Sequence, residues 1–125
     1  MIRIASYDVR EQEQIKEKEK YINDLIIEIF DSVKKEIKNK YYTFSERNDL
    51  LQRVYWLIHH SMRLANNRFE CKFEIQKSDV LHSLMTLGPQ IQDDSINEVF
   101  EDIYACLIYR YCCEVRAITS INGVN

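Results

Sequence analysis

Residues 103–113 read IYACLIYRYCC, eleven positions with a single charge, Arg110. A helix that is apolar all round is buried on more than one side. The run is too short to cross a bilayer, which takes about 18–20 apolar residues. It lies inside a helix expected over 96–121, which would extend about 39 Å at ~1.5 Å per residue. Ser95 and Glu98 have capping-box spacing at its start, Asp93 and Asp94 sit near its positive end, and Asn122-Gly123 stops it. In a chain of 125 residues, three other helices have little surface with which to surround it. A homodimer through this helix is therefore expected, with Tyr104, Leu107, Ile108, Tyr109, Tyr111 and Cys112 at the interface. The tyrosines suit such a place, since each offers apolar area and a polar tip.

Upstream, Ile22, Leu25, Ile26, Ile29, Phe30, Val33 and Ile37 recur at spacings of three and four. They form one face of a helix over 11–41. Its opening EQEQIKEKEK has almost no apolar stripe and reads as solvated. Thr43 and Glu46 form another capping box, with Ser45 as a second N-cap candidate, and begin a helix over 45–66. Leu51, Val54, Tyr55, Ile58, Met62 and Ala65 line its inner face, and Asn66-Asn67 ends it. Ser78 caps a short helix over 79–87, which Gly88-Pro89 terminates. Residues 69–76, FECKFEIQ, alternate strictly between apolar and polar, and residues 2–9, IRIASYDV, alternate with a change of phase at Ala5. Both read as strands. The expected partner of the 69–76 strand is 2–9; the alternatives, in order, are its own copy in a dimer and a strand of another protein added at its edge. The expected fold is a single mainly α domain, 1–125, a four-helix bundle with a small two-stranded β element.

Composition narrows the function. Two Gly and one Pro suit long helices rather than a many-turned barrel. Net charge is −3, so the chain lacks the basic excess of duplex-binding proteins. The N-terminal MIRIASYDVREQEQ lacks the apolar core of a secretory signal, and the expected location is the cytoplasm, or a host's cytoplasm if the source is viral. Cys71, Cys106, Cys112 and Cys113 match no secreted disulfide framework and read as reduced thiols. A lean towards Ile, Lys, Asn and Tyr suits an A/T-rich genome such as that of a phage or mobile element.

Several residues carry possible chemistry. In RVYWLIHH, His59 lies six and His60 seven positions after Arg53. An Arg followed after four to six residues by His, on a bundle helix, resembles the motif of the HEPN ribonuclease superfamily. The resemblance covers eight residues and implies metal-independent RNA cleavage by Arg53 and His59. That family usually has a polar residue after the Arg, where this chain has Val54. The plainer reading is a surface arginine and a histidine at the edge of the core. Glu28 with Asp31, and Glu98 with Glu101 and Asp102, have the spacing of carboxylates that hold Mg²⁺ between facing helices. A nucleotide hydrolase would use that layout, but most of these residues fall on polar faces. Asp94, Glu98, Glu101 and Asp102 alternatively form an acidic face for a basic partner. Zinc ligation lacks a C-x₂-C or helical i,i+4 His pair, and no cofactor is expected.

Between Arg53 and Lys77, Arg53, Arg63, Arg68, Lys72 and Lys77 outnumber Glu70 and Glu74 by three, with Tyr55, Trp56, Phe69 and Phe73 interleaved. Such a mixture fits contact with single strands, but aromatics in the core and cations on the surface are the plainer reading. The expected function is non-enzymatic: a protein-binding regulator, inhibitor or small structural subunit. A bundle ribonuclease and a carboxylate–Mg²⁺ nucleotide hydrolase are the alternatives.

Overall fold

A computed structural model describes residues 2–38, 41–68, 74–91 and 97–123, with side chains from 11 onward and up to 117. Four helices account for nearly all of it: α1 (Ile2–Ile37), α2 (Phe44–Arg68), α3 (Lys77–Ile91) and α4 (Glu98–Gly123). Among the described residues there is no strand. Residues 2–9 are the first turns of α1 rather than a strand. Their sequence supports both periods, because Ile2, Ala5 and Val9 also recur at three and four. Continuity with a long helix decides between them, since adding a residue to a helix end avoids the cost of a new nucleus. Residues 69–73 of the other expected strand lie outside the described residues, and 74–76 are an irregular approach to α3.

The apolar stripes meet in one core. Ile22, Ile26, Phe30, Val33 and Ile37 of α1 face Val80, Leu84, Leu87 and Ile91 of α3 and Phe100, Ile103, Tyr104 and Leu107 of α4. Val54, Ile58, Met62 and Ala65 close the core from α2. Phe30 meets Phe100 edge-on at 5.2 Å and Tyr104 at 5.7 Å, an arrangement that the charge distribution of aromatic rings favours. The α1–α3 and α3–α4 seams are the most extensive and α2–α4 comes next, whereas α1 and α2, adjacent in sequence, share one of the thinnest seams.

Local chemistry sets the helix starts. Thr43 Oγ1 accepts the Glu46 N–H at 3.2 Å while Glu46 Oε1 accepts the Thr43 N–H at 3.4 Å, the reciprocal capping box expected for α2. α3 begins two residues earlier than expected. Gln76, not Ser78, precedes its first turn, and Asp79 Oδ2 accepts the Gln76 N–H at 2.9 Å. Asn97 begins α4, its Oδ1 accepting the Val99 N–H at 2.9 Å. The Ser95 cap lies outside the described residues.

The largest departure is at Gly88-Pro89, which α3 passes through to end at Ile91. Proline removes one helical hydrogen bond, that to the Met85 carbonyl. Met85 is exposed, so water reaches that side of the turn, and continuing the helix buries Ile91. Lys34 Nζ donates to the Ile91 carbonyl at 2.7 Å, placing a cation at the negative end of α3. Gly88 serves another purpose. A β-carbon there would lie 2.7 Å from the Tyr104 hydroxyl oxygen, which donates to the Leu84 carbonyl. The missing side chain is the notch through which α4 seats a tyrosine against α3.

Candidate functional site

The expected Arg53–His59 pair is not brought together. Six residues turn a helix through one full circle and about 240° more, so the two side chains leave α2 in different directions. Arg53 forms an exposed ion pair with Glu36 of α1. His59 enters the seam with α4. Its ring stacks on that of Tyr111, 5.7 Å away with the planes 6° from parallel, and lies 4.2 Å from the Tyr55 ring.

That seam is the main concentration of polar groups. The Tyr55 hydroxyl donates to Glu114. Arg110 lies 3.5 Å over the Tyr55 ring and donates to Gln52 Oε1 at 2.8 Å. Arg110 and Lys77 approach Glu114, each at 3.7 Å. Burial pushes the Tyr55 hydroxyl up to about 12, with Glu114 adding to the effect. Burial likewise raises Tyr111 strongly and holds His59 below the usual histidine range, against the opposing pull of Glu114. Among the described residues, His59 Nε2 and the Tyr111 hydroxyl have no hydrogen-bond partner. The seam ties α2, α3 and α4 together through charge-assisted contacts that surround a neutral imidazole. It is a fastening rather than a cleft.

The second feature is the outer surface of α2. At ~100° per residue, Arg53, Trp56, Leu57, His60, Arg63 and Leu64 fall within a sector of about 120°. All six are exposed, with Trp56 at 64 %, Leu57 at 46 % and Leu64 at 54 %. Beside this sector runs a groove of about 390 Å³ between α1 and α2. Leu25, Ile29, Val33, Val54 and Leu57 form its apolar walls, and Glu28, Glu36 and Arg53 mark its edges. Arg53, Trp56, Leu57 and His60 line a shallower depression of about 250 Å³. Counting by 3.6 would have paired Arg53 with His60, the position that shares its face.

The expected interface residues of α4 divide in two. Tyr104, Leu107 and Tyr111 are 6 %, 0 % and 0 % exposed, covered by the chain's own helices, and present no surface to a second copy. Tyr109 is 73 % exposed, and Ile108 and Cys112 are half-buried. An all-round apolar helix does not announce which side its own chain covers, and three helices cover more of this one than expected. Of the acidic face, Glu98, Glu101 and Asp102 are exposed along the start of α4, with Asp102 3.8 Å from Arg47, and Asp94 lies outside the described residues. Arg63 and Arg68 are exposed on α2, and Lys72 lies outside the described residues. Glu28 and Asp31 are exposed on α1. Among the described residues, no group of three or more His, Cys, Asp or Glu side chains stands together as a metal site. Nor is any described helix long and apolar enough to cross a membrane. Comparison with protein-family models, curated proteins and solved structures finds no match to this chain.

Proposed function

We propose that this chain is a non-enzymatic protein-binding regulator, inhibitor or small structural subunit that engages its partner through the outer face of α2. The supporting observation is Trp56. It is the chain's one tryptophan, and it stands 64 % exposed on a sector that also carries exposed Leu64, lining a shallow depression with Leu57, a residue that also walls the α1–α2 groove. Contiguous exposed apolar surface rimmed by polar groups is how interaction sites present themselves. Tryptophan is the residue most enriched where binding energy concentrates. The occupant that fits is an amphipathic helix, its apolar stripe laid along the groove and its acidic border against His60 and Arg63.

The test uses Trp56 as its own reporter. Proteins captured from native lysate by the wild-type chain are compared with those captured by Trp56→Ala and Leu64→Asp. The reading expects a partner lost with both variants, whose purified form shifts the Trp56 emission to the blue. A partner held equally by all three chains, or bound with no change in emission, would overturn it.

A second reading rests on the shared depression of Arg53 and His60, which gives the ribonuclease resemblance a pairing that His59 does not supply. Purified protein is incubated with RNA in the presence of chelator. Cleavage abolished by His60→Ala and retained by His59→Ala would replace the binding reading, and absence of cleavage removes the ribonuclease.

A further inference from the structure

The residues of α4 left outside the core form a surface that is complementary to itself. From Asp102 to Arg116, the exposed positions are Asp102, Ala105, Cys106, Tyr109, Cys113 and Arg116, spaced by three and four along one stripe. The stripe is acidic at its start and basic at its end, with no charge on it for four turns between. Its centre is one large side chain, Tyr109, flanked on both sides by small ones: Ala105 and Cys106 before it, Cys112 and Cys113 after it.

We propose that α4 pairs antiparallel with the α4 of a second copy, about a two-fold axis passing beside Tyr109. In a two-fold interface residue i meets residue j and j meets i. With Tyr109 at the centre, position 102 faces position 116, 105 faces 113, and 106 faces 112. Asp102 of each copy then meets Arg116 of the other, twice over. Position 109 faces itself across the axis, so the two Tyr109 rings lie side by side, with the small residues that flank each of them leaving room for both. A parallel arrangement would set Asp102 against Asp102 and Arg116 against Arg116, so charge selects the antiparallel one. The stripe is about 21 Å long, which places the contact at the small end of protein interfaces. The dimer is therefore reversible and concentration-dependent. It leaves the Trp56 face of α2 untouched, and its one ion-paired tie to α2 among the described residues is Asp102–Arg47, so either proposal can fail while the other stands.

Sedimentation velocity across a concentration series tests it. The wild-type mass rises from 15.0 kDa towards twice that value as concentration increases. Asp102→Arg and Arg116→Asp each weaken association about tenfold, since like charges then face one another at both ends of the pair. The two changes combined in one chain restore it. Tyr109→Glu abolishes association, and circular dichroism confirms that each variant keeps its helix content. A wild-type chain that stays at 15.0 kDa throughout would sink the proposal, as would a double variant no better than its single parents. Unchanged association in Tyr109→Glu assigns the dimer to another face and also overturns it.

Discussion

The carboxamide of Asn66 holds both backbone groups of Ile75: its Oδ1 accepts the Ile75 N–H at 2.7 Å, and its Nδ2 donates to the Ile75 carbonyl at 3.3 Å. Ile75 is 3 % exposed, so water cannot easily replace either bond. Asn66→Ala is expected to cost about 1–3 kcal/mol, the range for leaving buried polar groups unpaired. Urea denaturation checks this as a lower midpoint at unchanged slope. Asn66→Asp keeps the acceptor and loses the donor, and falls between.

Gly88→Ala tests the notch under Tyr104. Alanine is favoured over glycine in a helix by about 1 kcal/mol, yet the new carbon has no room beside the tyrosine hydroxyl. Overpacking costs about 1–3 kcal/mol, so the variant is expected to be less stable than wild type. Tyr104→Phe removes the obstructing oxygen. The double variant Gly88→Ala with Tyr104→Phe should therefore lose less than the sum of the two single changes, a non-additivity that a double-mutant cycle measures.

Acid should loosen the bundle through His59. Burial holds the folded-state value below the ordinary 6.5, so the unfolded chain takes up the proton first as pH falls. Stability is then full above about pH 6.5 and declines as pH drops towards the folded value. Thermal melts from pH 7 downward should show this slope, and His59→Phe should flatten it.

At the alkaline end, Tyr55 behaves in the opposite sense. Its hydroxyl ionises at about 12 in the folded chain against 10.0 ordinarily. Between those values the unfolded chain is ionised while the folded chain is not. Stability is thus complete below about pH 10 and lost on the way to 12. Tyr55→Phe should lessen that loss, and absorbance at the tyrosinate band should show a late-titrating fraction.

Leu107 and Tyr109 are two residues apart on α4 and should differ sharply. Leu107→Ala, at a site with no exposure, is expected to cost about 2–5 kcal/mol. Tyr109→Ala, at 73 % exposure, should stay within about 0.5 kcal/mol in the monomer. Equal losses would mean that α4 is turned differently about its axis.

The stripe from Ile22 to Ile37 was legible because a helix with one wet face repeats its apolar residues at a single period, and the structure buries most of it. The Thr43–Glu46 cap was legible because both partners are local. Residues 2–9 satisfy two periods at once, and only the helix that follows them chooses. Gly88 was misread as punctuation because its role is set by Tyr104, sixteen residues away in sequence and adjacent only in space. The same blindness affected α4. Tyr104, Leu107 and Tyr111 look as sticky as Tyr109 until the other helices are in place. At the α2 surface the motif spacing pointed to His59, whereas the turn of the helix puts His60 on the face of Arg53.

The packing order of the helices has a consequence for synthesis. α1 finds its main support in α3, and α2 finds its own in α4. A nascent chain that has released α1 and α2 but not α3 holds two helices whose shared seam is thin and whose apolar stripes await later elements. The apolar stripe of α2 therefore stays largely uncovered until α4 is made, so the bundle closes late and through contacts distant in sequence.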